Sequence, residues 1–407
     1  MSEDNKDFLI DIGTPSATPS IIKVIGVGGG GGNAVNHMYR EGIHDVNFVV
    51  CNTDSKALAD SPVQTRLQLG NEGLGAGNRP ERARQAAEES IEEIRQMLND
   101  GTKMVFITAG MGGGTGTGAA PVIAREAKAM DILTVGIVTI PFLFEGNKKI
   151  DQALDGVEEI AKQVDALLVI NNQRLIDIYP ELSVINGFRI ADQTLSTAVR
   201  SITEIISMHG RVNLDFEDVK TVLTQGGVAV MSTGYAEGDG RVGRAIEQAL
   251  RSPLLNNNDV YGADRILIAV TMSRDEHQML TMREMSEITA FMERFNPDIV
   301  TKWGLAQDDS LGDKVKVTIL ASGFGLYAKK RPKPGKEEVY VSTPEQDDRR
   351  NRYYADPRQK QRTRPLVFLF GEEDLCNPEV LRLVEDVPTR LRTRSQLLDI
   401  QQHAGHR

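Results

Sequence analysis

Residues 110–121 read GMGGGTGTGAAP. Six glycines and two threonines fall within the nine positions 110–118, more than an ordinary turn requires. Glycines permit positive φ and let successive backbone N–H groups converge on one point. Thr115 and Thr117 add hydroxyl donors, and a helix expected from about Ala119 adds the positive end of its dipole. Gly112, Gly113, Gly114, Thr115, Gly116, Thr117 and Gly118 therefore form a candidate cradle for a di- or triphosphate. The apolar stretch Met104–Ala109 ahead of the loop reads as a strand.

Working outward, the same arrangement occurs once more upstream. The strand candidate Ile21–Val27 runs into Gly28, Gly29, Gly30, Gly31 and Gly32, and Asn33–Arg40 reads as a helix. Gly26-x-Gly28-x-x-Gly31 satisfies the dinucleotide fingerprint. A run of five glycines meets that pattern almost automatically, so a plain strand-to-helix turn explains it too. Val46–Cys51 ends at Asn52-Thr53-Asp54, and Pro80–Leu98 has the spacing of one long helix. Leu133–Ile140, the helix Lys149–Val164 and Ala166–Ile170 followed by Asn171-Asn172 complete the alternation. Short apolar strands alternating with helices predict an α/β fold with a buried parallel sheet. Ligands of such sheets sit beyond the strand C-termini, where these loops fall.

A long helix over about 187–208 carries an apolar stripe of Ile190, Thr194, Ala198, Ser201, Ile202, Ile205 and Ile206, broad enough for two domains to cover. Strands Val228–Ser232, Arg265–Met272 and Val315–Ser322, with helices Arg241–Ser252 and Met282–Phe295, predict a second α/β domain with a mixed sheet. The expected organisation is an N-terminal arm 1–20, a nucleotide domain 21–186, the central helix 187–208, a C-terminal domain 209–329, a flexible linker 330–365 and a tail 366–407. In the tail, Asn377-Pro378 and the apolar set Val380, Leu381, Leu383 and Val384 suit a short amphipathic helix. It reads as a docking peptide or as an element packed on the body.

The 407 residues are 40% hydrophobic, enough for real cores. Lys plus Arg against Asp plus Glu is 47 − 57, a net charge of −10, which disfavours bulk nucleic-acid binding. Two cysteines exclude a disulfide scaffold or a cysteine zinc site, and six histidines disfavour a His-rich metal centre. No apolar run reaches membrane-spanning length, and the acidic start MSEDNKDFLI lacks the form of a secretory signal. A cytosolic protein is expected. No Gly-Lys-Ser/Thr follows either glycine loop, so this is not a Walker-type phosphate site.

Phe188 and Asp192 lie four apart at the start of the long helix and share a face. A ring beside a carboxylate suits guanine, whose N1–H and exocyclic amine donate; a core Phe and a surface Asp are the plainer alternative. Asn213, Asp215 and Asp218 follow the helix, and on spacing alone the better reading is that Asn213 or Asp215 caps the next helix, which Asp218, Val219 and Val222 continue. The helix is about 30 Å long at 1.5 Å per residue, so these carboxylates cannot reach phosphates held at its other end.

Over about 21–326 the sequence resembles the tubulin/FtsZ family of polymerising GTPases. The motifs that carry the resemblance are the 110–118 loop, the glycines 28–32, Asn52-Thr53-Asp54, Pro141-Phe142, Asn213-x-Asp215-x-x-Asp218 and Leu311-Gly312-Asp313. The resemblance implies a tubulin-like fold: a Rossmann-like GTPase domain, a central helix and a second α/β domain with a synergy loop at 212–218. It implies GTP/GDP bound by Gly28–Gly32, Asn33, Asp54, Gly112–Gly118, Glu145, Lys149, Asn172, Phe188 and Asp192. Lys149 stands where the family usually carries Arg. Mg2+ would be held mainly by phosphates rather than side chains, with K+ a candidate second ion. Asp215, Asp218 and Asn213 would be catalytic residues in the pocket of the next subunit of a head-to-tail filament. Further partners implied are a membrane-tethering division adaptor reading the C-terminal tail, and division regulators, with no nucleic acid and no direct membrane insertion. The place implied is the cytoplasmic division ring at mid-cell. A non-hydrolysing nucleotide-dependent scaffold and, from the Gly26–Gly31 pattern alone, an NAD- or FAD-binding oxidoreductase are the competing readings.

Overall fold

Six apolar or shielded residues in succession make Ile22–Val27 (β1) a strand buried on both faces. The computed structural model describes residues 20–324 except 179–180, 182, 209, 252–259, 276–277 and 296–298, together with Gln346 and Arg349. After β1 come Gly28–Arg40 (α1), Asn47–Asn52 (β2), Ser55–Ala59 (α2), Thr65–Gln68 (β3), Pro80–Glu89 (α3), Ile91–Leu98 (α4) and Met104–Gly110 (β4). Thr115–Ala129 (α5), Leu133–Ile140 (β5), Asn147–Ala161 (α6), Ala166–Asn171 (β6), Asn172–Ile178 (α7) and the long Val184–Ser207 (α8) follow. The second half holds Gly210–Val212 (β7), Phe216–Leu223 (α9), Gly227–Ala236 (β8), Arg241–Leu250 (α10), Arg265–Met272 (β9), Met282–Met292 (α11), Val300–Gln307 (β10) and Val315–Phe324 (β11).

The strands form one sheet in the order β3-β2-β1-β4-β5-β6-β8-β11-β9-β10-β7. From β3 to β6 every pairing is parallel. The second half is mixed, with β11 antiparallel to both β8 and β9 and β10 parallel to β9. The α/β expectation with a mixed second sheet therefore holds. The two halves share a single sheet through a narrow seam, where β6 and β8 pair at Ala166–Gly227 and Leu167–Val228. α8 lies across that seam. Its Leu195, Ala198, Val199, Ile202 and Ile205 share a core with Phe106 and Val135 of the first half and Leu267 and Leu320 of the second.

Several boundaries differ from the sequence reading for local reasons. Pro80–Leu98 is two helices, because the Ser90 hydroxyl accepts from Gly70 N at 2.9 Å and the chain leaves helical geometry there. α1 and α5 start at Gly28 and Thr115 rather than Asn33 and Ala119, so the glycines occupy first turns. α8 starts at Val184 rather than residue 187, capped by the Ser183 hydroxyl accepting from Asn186 N. The strands β3, β7 and β10 escaped the periodicity because they are short or half-exposed.

One compact unit runs to Tyr354, and a second, Ala355–Arg407, lies outside the described residues. So do the arm apart from Ser20, most of the segment read as a linker, and the whole tail read as a docking peptide. Within that linker, Arg349 pairs with Glu158 at 2.9 Å and with Asp155 at 3.3 Å on α6.

Candidate nucleotide site

Both glycine loops lie at the C-terminal ends of neighbouring parallel strands, β1 and β4, and pack on each other. Gly28 has φ +73°, and a Cβ there would come within 2.8 Å of Gly116 N. A Cβ on Gly31 would meet Thr108 O at 2.2 Å, one on Gly116 would meet Gly110 O at 2.6 Å, and one on Gly118 would meet Pro80 O at 2.0 Å. These glycines bring two helix N-termini side by side, each with unsatisfied N–H groups and the positive end of a dipole. Gly29, Gly32 and Gly113 have nothing within 4 Å of a built Cβ. Their backbone is therefore open to a ligand in the first turns of α1 and in the loop just before α5, the two segments that carry the helix N-termini.

At Gly114, also read from the sequence as part of the cradle, the side-chain direction faces protein. A Cβ there would sit 2.8 Å from Ala76 Cβ and 3.1 Å from Arg79 N. The two threonines brace the loop: Thr115 shares a 2.7 Å hydroxyl contact with Thr53, and the Thr117 hydroxyl accepts from Gly112 N at 2.9 Å. Each hydroxyl therefore has at least one bond committed within the protein. Gln152 of α6 adds a second brace that the sequence reading missed, donating to the carbonyls of Gly112 and Gly113 at 3.1 Å each. Its position three residues after Lys149, on one face of α6, was the available signal.

Phe188 is exposed at the start of α8, and its ring meets Phe142 edge-on at 5.2 Å. Phe142 is buried and also stacks on Phe144 at 5.1 Å. Asp192, one turn after Phe188, is half-buried, and burial pushes its carboxyl up to about 6. A carboxylate short of water and beside an exposed ring suits a ligand edge that donates hydrogen bonds. Asn172 is buried, with an Oδ1 that has no partner among the described residues, an unsatisfied acceptor near the same strand ends.

Three expected nucleotide residues have partners within the chain. Glu145 accepts from Phe142 N at 2.9 Å and pairs with Lys149, so that lysine is held on Glu145. Asp54 caps α2, accepting from Lys56 N at 2.9 Å and Ala57 N at 3.2 Å. Asn33 lies exposed on α1. No group of three or more His, Cys, Asp or Glu that could hold a metal occurs among the described residues.

The acidic residues sit at the other end of α8. That helix has 24 residues, about 36 Å at 1.5 Å each. Asp215 and Asp218 form a reciprocal capping box on α9: Asp218 N donates to Asp215 Oδ1 at 2.9 Å, and Asp215 N donates to Asp218 Oδ2 at 3.1 Å. Asp218 Oδ1 also faces Lys302 Nζ at 2.8 Å, which holds its carboxyl below the usual range. Asn213 Oδ1 accepts from Gly210 N at 2.7 Å. The structure joins Asn213, Asp215 and Asp218 in one loop and separates them from the glycine pocket of their own chain.

A family model described as "Tubulin/FtsZ family, GTPase domain" matches residues 21–180. Others described as "FtsZ family, C-terminal domain" and "FtsZ, C-terminal" match 227–325 and 362–407. The chain is 48% identical over 400 residues to the cell division protein FtsZ of Porphyromonas gingivalis, covering 93% of this chain and 87% of the relative. It is 46% identical over 316 residues to the cell division protein FtsZ of Azotobacter vinelandii, covering 76% and 79%. A solved empty FtsZ dimer from M. jannaschii matches with a TM-score of 0.68 and 36% identity, over 80% of this chain and 96% of that one. Together with the paired glycine loops, these matches place the chain in the tubulin/FtsZ family of GTPases, as an FtsZ-type member.

Proposed function

We propose that the chain binds GTP, assembles head to tail into filaments, and hydrolyses the nucleotide at each contact between subunits, as the scaffold of a bacterial division ring. The observation that carries this reading is the separation of two complementary half-sites by α8. A glycine-lined anion pocket lies at one end and paired carboxylates lie at the other. Neither half can serve the other within one chain, but a head-to-tail neighbour brings them together, and such a contact propagates into an open filament.

In this mechanism the open backbone at Gly29, Gly32 and Gly113 receives the phosphates, and Phe188 and Asp192 select guanine. The neighbour's Asp215 and Asp218 orient a water toward the γ-phosphorus. A bond forms between the water oxygen and phosphorus, the bond to the β-bridging oxygen breaks, and the water proton passes toward a carboxylate. GDP and phosphate result, and positioning and charge carry the catalysis. Mg2+, held mainly by the phosphates, would neutralise their charge; K+ is a candidate second ion.

The tail 366–407 would serve a membrane-tethering adaptor, and division regulators would act on the same filament. The site of action would be cytoplasmic, beneath the membrane at mid-cell, without insertion. Among the described residues no helix is long and apolar enough to cross a membrane. The test is sedimentation with GTP, GDP and ATP, with phosphate release followed in the same samples. GTP-specific pelleting with phosphate release that sets in at the assembly threshold is expected. Pelleting without release indicates a non-hydrolysing scaffold, and bound nicotinamide or flavin in place of guanine would overturn the assignment.

A further inference from the structure

We propose that Lys302 is a positioning residue for GTP hydrolysis, fixing the Asp218 carboxylate in the orientation that the acidic loop offers to the neighbouring subunit. This rests on the reading that the loop acts in trans. The strand β10 serves as the platform for that loop at two points. At Gly304 a Cβ would lie 2.5 Å from Leu214 Cγ, so only glycine lets the residue before Asp215 settle on the strand. Leu214 is buried there. Lys302, two residues earlier, projects from the same face of the strand, because side chains alternate. Its Nζ meets Asp218 Oδ1 at 2.8 Å, with the lysine 39% and the aspartate 21% exposed.

The two oxygens of Asp218 then have different donors. Oδ2 takes the Asp215 backbone N–H, and Oδ1 takes the Lys302 ammonium. A carboxylate oxygen has two lone-pair directions, so each keeps one for an incoming water while its plane cannot rotate. The Asp215 carboxylate accepts from Asp218 N through Oδ1 and also feels the charge of the Lys302 ammonium. The first turn of α9 also carries Glu217, which puts three carboxylates within the four residues 215–218. Lys302 offsets part of their mutual repulsion. Its hydrogen bond is also the leading cause that holds the Asp218 carboxyl below the usual carboxylate range. As a half-exposed ion pair it contributes little to folding, so its use lies in orientation.

The test compares full-length wild type with Lys302→Met, Lys302→Arg and Asp218→Ala. GTP affinity, assembly threshold, thermal midpoint and phosphate release per assembled subunit are measured for each. Lys302→Met should lower kcat by at least about fivefold, with GTP affinity and threshold within about twofold, the pattern of a lost transition-state contact. Lys302→Arg should recover at least about half of the rate, because it restores a cation at the same carboxylate. Wild-type or faster turnover by Lys302→Met beside an inactive Asp218→Ala overturns the positioning role and leaves catalysis in trans standing. Wild-type turnover by Asp218→Ala removes both. A fall in Lys302→Met that tracks a lower thermal midpoint and is not rescued by Arg also overturns it, since the lysine would then be structural.

Discussion

The two ends of α8 tolerate replacement very differently. At the glycine end a single added carbon collides with backbone: 2.2 Å at Gly31, 2.0 Å at Gly118 and 2.6 Å at Gly116. The pocket exists because side chains are missing, and few sequences other than glycine runs can build it. At the acidic end the same carboxylates do ordinary work, capping α9 for each other and pairing with a lysine. Any helix start could carry that chemistry. A binding site made by close backbone approach leaves a signature in composition. A catalytic site made by presenting common side chains to another molecule leaves almost none.

The largest expected effect probes the acidic end. Asp218→Ala should reduce phosphate release by about 10²–10⁴-fold, the range for a lost acid–base or orienting group, while GTP binding in its own pocket stays intact. A direct binding assay beside a phosphate-release assay checks both halves. Mixing it with a subunit defective only in GTP binding should restore some turnover at mixed contacts, and activity at wild-type level in the mutant alone would show that the carboxylates are only caps.

The next effect separates the glycines. Gly113→Ala points a methyl into open space where an anion would lie, so it should weaken GTP by about tenfold or more, roughly 1.4 kcal/mol, with the fold unharmed. Gly114→Val should instead lower thermal stability, because its first carbon already meets Ala76. Calorimetric GTP titration and thermal melts on both variants distinguish the two kinds of glycine. Equal melting losses would mean that both positions are merely packed.

A smaller effect follows from Asp192. Its carboxyl titrates near about 6, and only the ionised form accepts from both guanine donors. GTP affinity should hold above that pH and fall by about tenfold at one unit below it. Asp192→Asn should be weaker at neutral pH and lose this dependence. Because burial raises the folded-state value, the nucleotide-free protein gains stability as pH falls from neutral through about 6, opposite in sign to the loss of GTP binding. Affinity for GTP that stays flat between pH 7 and 5 counts against guanine reading by this residue. The smallest effect is expected from removing residues 366–407. Turnover and assembly should stay within about twofold, while binding to membrane-tethered adaptors is lost in a co-sedimentation assay.

Much of the fold was legible because the first half alternates apolar strands with helices, and both glycine loops end strands. Pro80–Leu98 was misread as one helix because periodicity carries across Ser90, whose break is made by a tertiary bond to Gly70. β10 was invisible because Thr301, Lys302 and Gly304 interrupt its apolar pattern. The bracing by Gln152 and the pairing of Lys149 with Glu145 had only local i,i+3 and i,i+4 spacings as a signal, and packing decides which partners those side chains take. Asp215 and Asp218 were legible only through family resemblance.

The length of α8 also fixes a count. Under the trans mechanism an open row of n subunits contains n − 1 complete catalytic sites, with one bare pocket at one terminus and one unused acidic loop at the other. By the same mechanism a lone molecule would be a latent enzyme, and each joining event would create the site that can later undo it. The terminal pocket would have no water-orienting loop above it, so its nucleotide would outlast all the others. The two tips of the row would then differ chemically as well as in direction, and the age of the row would be written in which nucleotide each contact holds.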